Sequence, residues 1–458
     1  MIKYKISQDQ IMTPELIKKL INKHQFNDVP KFNKMDDYYH ARNKILGRVM
    51  NDVSKPNNKV SHPYASYITD TLTGYFMGEG VTYSALDDAN AALDELQMVL
   101  EYNDSQDEDI ELAKDMSIFG LGVELMYIDK EGSTRMRRID PREMVLVYDD
   151  SLEEELLYGI RYYKCEDILT EQEYYMIEVY SASDVVIYKS DVLINSLEVV
   201  DTAQHYFNLV PVSVYFNNEE EIGDFEPVIS LIDAYDQMES DSLNDFEYFV
   251  DAYLCLQGLV ADNDDVAAMK ENRILLLDSD SDAKWLIKDT NDTNIENVKT
   301  RLDADIHKFS KVPDMTDKAF GGNASGVAIK YKTLPMENIV AIKERKFKKG
   351  LQRRIELIFN IMSKTSGAYD WRSIDITFTR NLPTNDTEIA SMVSALSGIV
   401  SNETLLAQVP FVEDVDDEQK KVEKEQQSNP WYDTRLGLTG EDADEEARRT
   451  QRNNEGKK

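Results

Sequence analysis

The stretch from Asn294 to Met362 limits this chain more than any other, because it reads as a helix, a glycine-rich hinge and a second, longer helix. The first helix, expected over Asn294 to Val312, must stop at Pro313, since the residue before a proline is pushed out of the α region. The hinge from Asp314 to Gly326 carries Gly321, Gly322 and Gly326, and glycine accepts the positive φ that a turn needs. From Val327 onward Ile339, Ile342, Phe347, Leu351, Ile355, Ile358 and Met362 recur at the spacing of one helical face. Pro335 removes a backbone donor inside that helix and is expected to kink it.

Charge singles out the same stretch. Between Lys330 and Arg354 there are nine Lys/Arg and two Glu, whereas the whole chain carries 51 basic and 86 acidic residues for a net charge of −35. A locally basic helix in so acidic a chain needs a reason. One reading presents Lys330, Lys332, Lys343 and Lys346 to a polyanion next to a mobile loop. The plainer one makes the hinge a hairpin turn. The overall acidity disfavours general adhesion to nucleic acid or anionic membrane, because phosphate contacts dominate such binding. It serves solubility, or it keeps a surface near DNA from sticking to it.

Several functional classes are disfavoured. No run approaches ~20 uninterrupted apolar residues, so no membrane span is expected, and the N-terminus lacks the apolar core of a signal peptide. Cys165 and Cys255 stand alone, which argues against a disulfide framework and fits a reducing cytosol. With five histidines scattered along the chain, no zinc site is expected. Gly321 to Gly326 has the glycine separation of a phosphate loop, but Val327 and Ala328 replace the required Lys and Ser/Thr. The glycines between Gly74 and Gly80 follow a helix and read as a turn. Asp278, Asp280 and Asp282 imitate the start of a calcium loop without its glycine and closing glutamate. His307 is expected to be packed or solvent-facing. No enzyme, cofactor or metal is expected.

The remaining elements follow from periodicity. Thr13 to Asn51 reads as helical, with Thr13 as cap and Pro14 at N1. Ala65 to Phe76 is a helix, and Ala89 to Gly120 gives two more. From Gly122 the period changes to two, predicting a β-meander of five to seven strands with Arg135, Arg137 and Arg138 on a solvated face. His205 to Asn217 reads as a connector. A helix beginning at Glu226-Pro227 is expected to reach about Leu259, a rod of roughly 50 Å. Ala261 to Thr293 is a compact polar insert with a strand at Arg273 to Leu277 and a second short apolar run at Trp285 to Ile287. One strand follows at Ile374 to Thr379, then two short helices within Thr387 to Val409. From Glu413 fourteen Asp/Glu and nine Lys/Arg predict a frayed helix and then disorder.

Three stretches resemble the portal proteins of tailed siphophages of Gram-positive hosts. One is Asn57 to Tyr83, with Tyr64, Ile68, Asp70, Gly74-Tyr75, Gly78 and Val81-Thr82-Tyr83. Another is Phe309 to Met315. The third and most specific runs from Phe320 to Lys332, followed by Lys343-Glu344 and Phe347. The resemblance spans roughly residues 40 to 410. It implies an α+β, mainly α, portal-type subunit: a wing of helices and β-meander over 1–225, stem helices over 226–260 and 294–313, and a small α/β clip over 261–293. A tunnel loop over 314–326, a kinked helix and wing return over 327–386, a helical crown over 387–425 and a tail over 426–458 complete it.

By the same resemblance the subunit forms a dodecameric ring at one capsid vertex of the virion, assembled in the host cytoplasm. The ring channels double-stranded DNA during packaging and ejection. Its partners would be terminase, the major capsid or scaffold protein and a head-completion connector protein, with no membrane. Lys318, Asn323, Ser325, Lys330, Lys332, Lys343 and Lys346 would face DNA, and Gly321, Gly322, Gly326 and Pro335 would form the hinge. The residues alone leave a second reading open, an acidic cytosolic helical scaffold with no DNA role.

Overall fold

The computed structural model describes residues 4–52, 55–86, 89–250, 253–257, 282–286, 292–316, 326–364, 367, 369–381, 386–409, 412 and 415–428. Helix accounts for 50% of the chain and strand for 21%, an α+β composition with helix the larger share.

The chain opens with β1 (Tyr4–Ile6), α1 (Pro14–Asn27), α2 (Val29–Tyr39), α3 (Tyr64–Met77), β2 (Thr82–Ala85), α4 (Asn90–Tyr102) and α5 (Ser105–Phe119). Thr13 caps α1 as expected: its hydroxyl accepts from the Leu16 amide at 3.3 Å, with Pro14 in the first turn. Gly120 ends α5 with φ +90, and an added Cβ there would lie 2.4 Å from the Glu221 carbonyl oxygen. Glycine is required at that position on both counts.

Eight strands follow: β3 (Leu121–Ile128), β4 (Thr134–Ile139), β5 (Met144–Asp149), β6 (Leu156–Asp167), β7 (Gln172–Tyr180), β8 (Asp184–Ser190), β9 (Glu198–Gln204) and β10 (Val212–Phe216). They form two sheets where the sequence suggested one meander. The larger has the order β1-β5-β6-β7-β8-β9, with β1 parallel to β5 and the rest antiparallel; the smaller is β10-β3-β4. The expected connector from His205 to Asn217 thus contains a strand. The reason is burial: β3 is inaccessible from Leu121 through Met126, so its backbone groups need a partner on both edges. β10 supplies the second edge, with Val214 opposite Val123.

The next helix, α6 (Ile229–Val250), has 22 residues and follows a short 3-10 turn at Glu226–Val228. It spans about 33 Å, not the expected 50, because β11 (Tyr253–Gln257) takes over and pairs antiparallel with β12 (Asp282–Leu286). Apolar runs this short fit either period, and the pairing partner decides. The expected strand at Arg273 to Leu277 lies outside the described residues. Then come α7 (Asp292–Ser310), α8 (Gly326–Met362), β13 (Ile374–Thr377), α9 (Asp386–Leu396), α10 (Asn402–Leu406) and α11 (Val415–Ser428). β13 returns to pair antiparallel with β2.

The chain divides into two compact units, residues 1–322 with 330–381, and residues 323–329 with 382–458. In the first, one core lies between α1 and the large sheet, where Ile17, Leu20 and Ile21 meet Val145, Val147, Ile160 and Ile177. Another surrounds α8, whose Phe347 ring lies 4.7 Å from Tyr215, 5.6 Å from Phe76 and 6.1 Å from Phe378. In the second, α10 packs on α11.

Candidate functional site

Helix α7 ends as the proline requires. Lys311 takes a left-handed conformation at φ +62, and Pro313 prevents continuation. The segment leaving it is held by an aromatic cluster. The Tyr67 hydroxyl donates to the Pro313 carbonyl at 3.1 Å and accepts from the Met315 amide at 2.8 Å. His307 donates through Nδ1 to the Val312 carbonyl at 3.0 Å and stands edge-on to Tyr67. Tyr64 donates to Asp303 at 2.6 Å and crosses Tyr235. Asp314 accepts from the Thr316 amide and hydroxyl. His307 is therefore a packed residue. Tyr67 thus brackets Pro313 and Met315 at the end of this described segment.

Residues 317–325 include Lys318, Gly321, Gly322, Asn323 and Ser325, which lie outside the described set. Gly326 is the first residue of α8. Pro335 sits inside that helix, which continues on both sides. Arg380 braces it there: its guanidinium reaches Glu337 at 3.1 Å and Glu344 at 2.6 Å, and the Tyr75 hydroxyl donates to Glu337 at 2.7 Å.

The basic run of α8 is largely neutralised from within. Lys343, expected to face DNA, is only 2% exposed and pairs with Asp224. That assignment is corrected: an ammonium buried against its own counter-ion is not available to a phosphate. Lys346 pairs with the exposed Glu219, and Lys348 with Asp375 at 3.0 Å. Arg353 meets Glu356 at 3.1 Å and Val210 O at 3.4 Å. Arg354 is fully buried, with Asp109 at 2.5 Å and Glu124 at 2.8 Å. Tyr215 donates to Glu124 at 2.9 Å. Burial raises the Asp109 carboxyl above the usual range, despite its guanidinium partner. Lys330 is exposed and Lys332 half-buried. Arg345 and Lys349 are exposed and have no ion partner among the described residues.

The local surplus of positive charge therefore has a structural explanation for five of its nine members. The partners Asp109, Glu124, Glu219 and Asp224 stand 119 to 245 positions away and Asp375 stands 27 away, and they went unrecognised in the sequence because no local spacing rule reaches that far. The β4 arginines differ likewise from the expected solvated face. Arg137 is open to solvent, but Arg138 pairs with buried Asp115 at 2.5 Å and Arg135 lies 4.7 Å over the Tyr102 ring.

Among the described residues, no group of three or more His, Cys, Asp or Glu is arranged to hold a metal, and no helix is long and apolar enough to cross a membrane.

A family described as phage portal protein, SPP1 Gp6-like, matches residues 18–430. The portal protein of Bacillus phage SPP1 is 28% identical over 460 residues, covering 92% of this chain and 88% of that protein. The portal protein of Clostridium phage phiCD119 is 25% identical over 411 residues, covering 84% and 90%. A chain in the neck of an empty GTA particle computed with C6 symmetry aligns with a TM-score of 0.47 at 11% identity, covering 76% of this chain and 90% of that one.

Proposed function

The chain belongs to the SPP1 Gp6-like phage portal protein family, and from that premise we propose that it is the repeating subunit of a ring at one vertex of the capsid. The ring carries double-stranded DNA inward during packaging and outward during ejection. It is also the docking platform for terminase and for head-completion proteins. The observation that carries this reading is a family match over residues 18–430, a range that takes in both long helices, the glycine-rich segment and α8.

The physical details agree with that role. Helices α6 and α7 lie side by side, joined by Lys299 and Glu239 at 3.1 Å, and serve as the stem. Of the strand pair between them in the chain, β12 falls in the clip range over 261–293 and β11 in the range expected for the stem. Tyr67 holds Pro313 and Met315 ahead of the tunnel loop, and Lys318, Asn323 and Ser325 of that loop are the residues assigned to the duplex. Lys330 and Lys332 add weak, sequence-independent phosphate contacts. Lys346 contributes only when Glu219 releases it. An acidic subunit whose cations are mostly consumed internally lets DNA slide, because each phosphate contact it withholds removes a counterion-release term.

Solution mass and negative-stain imaging of the purified chain test the reading. The expected result is a closed ring with a central hole, on the order of twelve subunits. Rod-shaped dimers, or a chain that forms no ring even when co-expressed with its capsid and scaffold proteins, would instead support the helical scaffold.

A further inference from the structure

Helix α8 leaves one side bare. Ile342, expected in its apolar core stripe, is 50% exposed, and Tyr331 and Leu334 are 74% and 49% exposed. Separations of three, eight and eleven residues return to the same side of a helix, so these three form one stripe. Met336, Val340 and Phe347 fill the opposite, buried side. The stripe continues into Arg345 and Lys349, which are exposed and without an ion partner among the described residues. From Tyr331 to Lys349 it runs about 27 Å. Exposed apolar side chains grouped on one helix side, here with Asn338 among them, are the surface type that marks interaction sites.

Its chemistry selects among occupants. Leu334 and Ile342 offer nothing to a phosphate backbone and Tyr331 only one hydroxyl, whereas apolar residues ending in two cations fit an acidic protein surface with apolar side chains of its own. This chain, with 86 acidic and 51 basic residues, has such a surface on α4. There Met98 and Tyr102, 62% and 53% exposed, stand beside exposed Asp94 and Glu101. We propose that the Tyr331–Lys349 face of α8 seats against an acidic, apolar-studded face of a second copy, α4 being the clearest instance. Two different patches meeting make a head-to-tail contact, the kind that closes into rings. This rests on the portal reading and deepens it: the Tyr331–Lys349 side of α8 joins subunits.

The test compares the full-length wild-type chain with Ile342→Glu and with Arg345→Glu/Lys349→Glu, by native mass spectrometry and imaging at matched concentration. All three residues are solvent-facing, so the melting temperature should stay unchanged and assembly is read separately from folding. Placing a charge in the apolar stripe, or reversing its cationic end, should cut the ring fraction about tenfold or more. Variants that assemble like wild type overturn the inference and leave the portal reading standing. Variants that assemble normally but lose DNA binding overturn it in favour of a DNA surface. A wild-type chain that forms no ring with its scaffold overturns both.

Discussion

At the scale of residues, the titratable groups that matter are the buried ones. His24 is enclosed between α1 and the large sheet, with Nδ1 at 2.8 Å from the Tyr162 hydroxyl. Burial lowers its pKa from the ordinary 6.5 to about 4, partly offset by Asp28. Between those pH values the unfolded chain binds a proton that the native chain refuses, so stability is intact above 6.5 and falls as pH drops through this window. The loss should approach about 3 kcal/mol. Denaturant unfolding at several pH values checks this, with His24→Gln expected to flatten the slope. Arg354 makes a different case. Its removal leaves Asp109 and Glu124 buried without their cation, and Arg354→Met should destabilise the chain by about 3–5 kcal/mol. Thermal unfolding near neutral pH measures it, and a drop under about 1 kcal/mol would mean the cluster is already neutralised by a proton.

At the scale of elements, α8 was legible as a helix but only half legible as a packed one. Phe347, Leu351, Ile355, Ile358 and Met362 are buried as their spacing requires. In the first half the core takes Met336 and Val340, and Ile342 turns outward. The helical period is not an integer, so a stripe extrapolated over about six turns drifts around the axis. The close contact that fixes the rotation is Gly350, where a Cβ would stand 2.3 Å from the Tyr215 ring. Gly350→Ala should therefore cost about 1–3 kcal/mol although alanine favours helix, and a melting curve distinguishes the two signs. β10 and β11 were missed for a related reason: runs of five residues carry too little period, and their registers come from distant partners.

At the scale of the whole molecule, charge is arranged as well as counted. A chain at −35 that consumes most of the cations of its most basic helix keeps little positive surface for DNA. Lys330→Ala with Lys332→Ala should weaken binding to duplexes of any sequence and make its salt dependence shallower. A filter-binding series across salt concentrations checks this, and an unchanged slope would remove both lysines from the DNA-facing set.

The sequence by itself determined those helix boundaries that carry a local signal, since caps and prolines act over a few residues: Thr13 before α1 and Pro313 after α7, with the apolar beat marking the second half of α8. It also determined the family, through short runs such as Phe320 to Lys332. Only the tertiary structure decided what the charges do. Lys343 finds Asp224 at a separation of 119 positions, and Arg354 finds Glu124 at 230 and Asp109 at 245. An ion pair depends on distance in space, and local sequence rules reach no further than a turn of helix or a strand and its neighbour.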